Sequence, residues 1–96
     1  MLYWVIYDIS VTPTRSKVAS CCKNYGLVRV QKSAFLGQVS TNRVEMLALD
    51  IRGALGGNNK DAVFIIPACK QCYKAKIIIG SLDEEKVREK DYYLVG

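Results

Sequence analysis

An α+β domain, with antiparallel strands on one side and two helices on the other, is the fold that these 96 residues predict. Short β-branched and aromatic runs recur at residues 2–8, 28–39, 62–66 and 76–80. Two longer stretches between them repeat apolar residues at helical spacing, and the two kinds alternate as strand, helix, strand, strand, helix, strand. With 50% of residues apolar and 24% charged, the chain carries enough apolar surface for one core and no more.

Leu2-Tyr3-Trp4-Val5-Ile6-Tyr7 is apolar on both faces, as a strand between two layers would be, and ends at Asp8, a carboxylate at the rim of a sheet. Thr12 and Pro13 read as an N-cap and first turn; Val18, Cys21, Cys22 and Tyr25 share one helical face, and Gly26 supplies the stop. Val28 and Val30 form one short strand and Ser33 to Val39 another, joined either as a hairpin or as a bent continuation. Asn42, three residues before Glu45, makes a box-like N-cap for a helix whose stripe is Val44, Leu47, Ala48, Ile51 and Leu55, closed by a turn at Gly56-Gly57-Asn58-Asn59. Ala62 to Ile66 is a buried strand ended by Pro67. Lys76 to Gly80 is an extra strand that would gain from pairing with a second copy. The sum is the split βαβ, or ferredoxin-like, pattern βαββαβ: an antiparallel sheet with two helices on one face, plus an extra C-terminal strand. One sheet face is left that must be covered or must bind something. Residues 1–80 make the domain, and 81–96 a charged tail open to packing on a partner protomer.

The balance of 14 Lys plus Arg against 9 Asp plus Glu, a net charge of +5, favours a polyanionic partner. Histidine is absent, which removes the commonest general base and the commonest zinc ligand. No basic leader precedes the first apolar run, and no segment approaches the roughly 20 apolar residues of a bilayer span, so a cytoplasmic protein without a membrane partner is expected. Cys21 and Cys22 read as small core hydrophobes. Cys69 and Cys72, a CxxC pair, read first as a local thiol pair or disulfide, and second as part of a metal site shared between chains.

Asp8, Arg15, Lys17, Arg29 and Phe35 fall on elements that the split βαβ order places side by side, so they are expected to share one surface. Cations in the first turn of a helix oppose its macrodipole and would welcome an anion. The plainer reading is that Asp8 fastens the following loop while Arg15 and Lys17 are solvated. Hard-metal phosphodiester chemistry needs at least two oxygen ligands; one carboxylate per chain suffices only if a two-fold dimer sets Asp8 against Asp8. Tyr3, Trp4 and Tyr7 could stack on bases but suit a core or an interface better.

YDIS at the end of the first strand, TPTRSKVASCCKNYGLVRVQKSAFLG after it and the later VFIIPAC together resemble the CRISPR-associated Cas-two (Cas2) family, over about residues 1–80. The resemblance implies the small dimeric subunit of the spacer-acquisition complex, a homodimer that works with the Cas-one (Cas1) integrase and binds protospacer DNA or RNA. It implies a Mg²⁺- or Mn²⁺-dependent endonuclease whose catalytic and metal-binding residue is Asp8, one from each chain, with Tyr7, Arg15, Lys17, Arg29 and Phe35 near that site or on nucleic acid. Lys17 stands where some members have arginine, and Leu36 where relatives often carry glutamate, leaving one acid fewer. A non-catalytic DNA scaffold and a stand-alone toxin-like ribonuclease of the VapD type are the alternatives on this fold. A metallochaperone or regulatory module using Cys69 and Cys72 is the alternative outside it.

Overall fold

The computed structural model describes residues 1–57 and 60–80. Strand β1 (Leu2–Asp8) is followed by helix α1 (Thr12–Asn24), strands β2 (Val28–Gln31) and β3 (Ala34–Gln38), helix α2 (Thr41–Leu55), strand β4 (Ala62–Ala68) and a short helix α3 (Lys70–Lys74). The strands form one sheet in the order β2-β3-β1-β4, every pair antiparallel. This is the α+β, ferredoxin-like arrangement expected, and β2 and β3 form a hairpin.

β1 runs through the centre because it is the most continuously apolar segment, and its alternation sets the two faces of the sheet. Tyr3, Val5 and Tyr7 face the helices. There Val5, Tyr7 and Phe35 from the sheet pack with Val18 and Cys22 of α1 and Val44, Leu47 and Ile51 of α2. Leu2, Trp4, Ile6 and Asp8 face the other way, in register with Leu36 on β3 and with Phe64, Ile66 and Ala68 on β4. This second face is covered in part: Leu2 and Leu36 are buried beneath Trp4, Val30, Ala68 and Tyr73 of α3. Ile6, Phe64 and Ile66 remain 39%, 58% and 44% exposed. Among the described residues β1 is therefore fully layered on one side and only partly covered on the other, since both long helices lie on the same face.

Two glycines let the α1–β2 corner pack against β3. Gly26 ends α1 with φ +84°, a left-handed conformation that L side chains rarely adopt. Leu27 then lies so close to β3 that a Cβ on Gly37 would sit 2.9 Å from the Leu27 Cα.

Several boundaries differ from the sequence expectation. The N-cap of α1 is Val11, not Thr12, and makes no side-chain cap hydrogen bond. The N-cap of α2 is Ser40, whose hydroxyl accepts from the Arg43 amide at 3.3 Å, not Asn42. Capping depends on which residue is last outside the helical dihedrals, and side-chain type alone does not fix that. β4 continues through Pro67, which pairs with Tyr3. β4 is an edge strand, so the missing proline N–H removes nothing from the ladder with β1. Residues 76–80 are not a strand of this sheet: Ile77 and Ile79 are 88% and 95% exposed. A run of isoleucine favours extended backbone, but among the described residues this segment pairs with no strand, β1 already having a partner on each side. The tail 81–96 lies outside the described residues.

Candidate nucleic-acid and metal site

Asp8 ends β1 with an exposed side chain, opposite Ala62 on β4 and on the same face as Ile6 and Phe64. The loop leaving it is fastened by a residue that sequence reasoning missed: Asp61 Oδ1 accepts from the Ser10 amide at 3.1 Å and from the Ser10 hydroxyl at 3.2 Å. The two residues are separated by 51 positions, so no local pattern could have linked them. Asp61, rather than Asp8, therefore ties the loop in place.

Arg15 and Lys17 are exposed in the first turns of α1, which carries no acidic residue in its first turn. Arg15 Nη2 donates to the Thr12 hydroxyl at 2.7 Å, which holds the guanidinium beside the helix start. Arg29 is exposed on β2, with its guanidinium 5.2 Å from the centroid of the Phe35 ring, a cation–π contact.

Phe35 and Tyr7 are not on that surface. Phe35 is fully buried, Tyr7 is 3% exposed, and their rings stack at 6.3 Å under the helices. Tyr7 also donates its hydroxyl to the Lys32 carbonyl at 3.3 Å. The single surface expected for Asp8, Arg15, Lys17, Arg29 and Phe35 is thus corrected: strand alternation puts Phe35, and Arg29 that pairs with it across β2 and β3, on the helix side of the sheet, opposite Asp8. Nucleic acid cannot reach either ring without opening the core. Tyr25 likewise serves packing, donating its hydroxyl to Asp50 Oδ2 at 2.7 Å while Arg43 lies 4.9 Å over its ring. Cys22 is buried among the helices, and that burial pushes its thiol up to about 12.

Among the described residues no cluster of three or more His, Cys, Asp or Glu side chains could hold a metal ion. A hard cation needs several oxygen ligands, so Asp8 fits such an ion only as half of a site that a second copy completes. The position fits that condition, because Asp8 lies at the rim of the sheet face that the described residues cover only in part. Among the described residues no helix is long and apolar enough to cross a membrane.

The family model for the CRISPR-associated protein Cas2 matches residues 1–76. The chain belongs to the Cas2 family. The "CRISPR-associated endoribonuclease Cas2 1" of Archaeoglobus fulgidus is 40% identical over 90 residues, 94% of this chain and 95% of that protein. A "CRISPR-associated endonuclease Cas1/endonuclease Cas2 fusion" of Thermoproteus tenax is 41% identical over 61 residues, 62% of this chain and 23% of the fusion. The crystal structure of Streptococcus pyogenes Cas2 at pH 6.5 superposes with a TM-score of 0.69 at 25% identity, covering 83% of this chain and all of that one. The Cas2 likeness thus spans the whole sheet and both long helices, and the YGL and FLG segments of the Cas2 resemblance contain Gly26 and Gly37, the pair at which the α1–β2 corner packs on β3.

Proposed function

We propose that this protein is a nucleic-acid-binding homodimer of CRISPR adaptation, acting with a Cas1 integrase and cutting phosphodiester bonds through paired Asp8 residues. The observation that carries the reading is the position of Asp8 at the rim of an apolar patch, Ile6, Phe64 and Ile66, that the described residues leave exposed. Covering that face with a second copy removes apolar area from water, at roughly 25 cal/mol per Å², and draws two carboxylates toward one seam. Residues 76–80, which form no strand among the described residues and carry the apolar run Ile77–Ile79, would add a strand to the partner's sheet edge.

In this dimer the two Asp8 carboxylates supply oxygen ligands for Mg²⁺ or Mn²⁺, which when bound polarises a phosphodiester and lowers the pKa of water. Arg15, Lys17 and Arg29 hold the nucleic-acid backbone, a sequence-independent contact suited to the net charge of +5. The endoribonuclease and Cas1 fusion names of the relatives support the nuclease and partner assignments. A non-catalytic scaffold is the second reading, favoured by the fully buried Leu36, which adds no acid beside Asp8.

The test is cleavage of single- and double-stranded RNA and DNA by wild-type and Asp8→Asn protein, with Mg²⁺, with Mn²⁺ and with chelator. Metal-dependent cutting lost in Asp8→Asn supports the catalytic reading. Equal cutting by the variant removes Asp8 from catalysis. Absent cutting with salt-sensitive DNA binding assigns the scaffold role.

A further inference from the structure

Outside the Asp8 rim, Cys69 and Cys72 are the only exposed cysteines, and the nuclease reading makes no use of them. Cys69 is the N-cap residue of α3 with extended dihedrals, φ −77° and ψ 164°, so its side chain turns back over the first turn. Its Sγ accepts from the Cys72 amide at 3.3 Å, and the two sulfurs stand 3.2 Å apart in a thiol–thiol hydrogen bond. A CxxC pair held this way brings the second sulfur within reach of any bond made at the first.

The other two cysteines are the internal contrast. Cys22 is buried and Cys21 half-buried, and burial raises both thiols above their ordinary range. In the exposed pair the shifts diverge. The Cys72 amide, and then the Cys72 thiol, donate to a Cys69 thiolate and favour its ionisation, while the same sulfur–sulfur hydrogen bond raises Cys72. One sulfur is thereby favoured as nucleophile and the other is kept protonated until it is needed.

We propose that Cys69 and Cys72 form a reversible dithiol–disulfide site that exchanges with low-molecular-weight disulfides, Cys69 attacking and Cys72 resolving. The Cys69 thiolate attacks one sulfur of RS–SR, forming a Cys69–SR mixed disulfide and releasing RS⁻, which takes up a proton. Cys72 then loses its proton and attacks Cys69 Sγ, forming the Cys69–Cys72 bond and expelling the second RS⁻. The protein dithiol is oxidised by two electrons, and RS–SR is reduced to two RSH. The disulfide staples the turn whose Tyr73 packs over Leu36 on the open sheet face and whose next residues lead into Ile77–Ile79. The redox state is therefore written at the margin of that face.

The experiment uses the full chain, reduced and desalted, with iodoacetamide pulses near neutral pH and with oxidised glutathione as the probe, read by intact mass and peptide mapping. Cys69 should be alkylated roughly tenfold or more faster than Cys21. With glutathione disulfide, Cys72→Ser should retain one glutathione on Cys69, Cys69→Ser should stay largely unmodified, and wild type should finish two hydrogens lighter with Cys69 joined to Cys72. Both positions are exposed, so both serine variants keep the fold. Equal glutathione capture by the two variants, a wild type that stops at the mixed disulfide, or Cys69 alkylation no faster than that of Cys21 would each overturn the proposal. Protection of both thiols by tightly held zinc would overturn it in favour of a metal site.

Discussion

Replacing Gly37 by alanine puts a methyl group where β3 meets the α1–β2 corner with no room to spare. The added Cβ would lie 2.9 Å from the Leu27 Cα, 3.2 Å from its Cγ and 3.4 Å from the Gly26 carbonyl oxygen. The nearest of these is backbone, and it cannot swing away: Leu27 is 4% exposed and its amide donates to the Cys22 carbonyl at 3.1 Å, closing the end of α1. Either β3 or the α1–β2 corner must shift, a form of overpacking that costs about 1–3 kcal/mol. At about 4–8 °C per kcal/mol for a domain of this size, the midpoint should fall by roughly 5–20 °C. Gly53→Ala is the matched control. Gly53 is inside α2 and exposed, and a Cβ there meets nothing within 4 Å, so alanine should stabilise by about 1 kcal/mol through helix propensity. Thermal and urea unfolding of both variants at one protein concentration separates the two effects. If Gly37→Ala melts at or above the wild-type temperature, the close-approach argument is wrong. If both variants lose stability equally, the loss reflects glycine content and not the corner.

Phe64→Asp sets a charge on the open face at a position already 58% exposed, so the monomer fold should change little while light scattering moves from dimer to monomer. A dimer that survives with unchanged mass would show that this face is not the contact between copies. Cys22 tests linkage at alkaline pH. Its folded pKa, about 12, is raised above the ordinary thiol value of 9.0, so its contribution is fully present below pH 9 and is lost as pH climbs from 9 toward 12. The stability gap between wild type and Cys22→Ala should therefore narrow across that window, by up to about 1 kcal/mol per pH unit. A constant gap in urea titrations would mean that Cys22 does not ionise differently in the two states.

The elements were legible where one segment carries its own signal. The continuous run Leu2–Tyr7 announced a central strand, and Val44, Leu47 and Ile51 announced the buried stripe of α2, because burial of those positions follows from period alone. Signals that depend on a partner were misread. Lys76–Gly80 looks like a strand but forms none among the described residues, while Pro67 looks like a strand end but lies harmlessly on an edge. α3 went unseen because its five residues are too short to show a period.

The candidate site divides along the same line. That Asp8 stands at a sheet rim, and that Arg15 and Lys17 start a helix, is written in consecutive residues. That Phe35 and Tyr7 lie on the opposite side of the sheet from Asp8, that Asp61 rather than Asp8 holds the loop at Ser10, and that Cys69 and Cys72 bring their sulfurs within 3.2 Å were settled by the tertiary structure. The sequence by itself determined the order of the first six elements, β1 to β4 with α1 and α2, the family likeness and the excess of positive charge, since these are local or additive properties of the chain. Only the folded structure decided which residues share a face, because that depends on strand register and on which side of the sheet the helices cover, and neither is a property of any single segment.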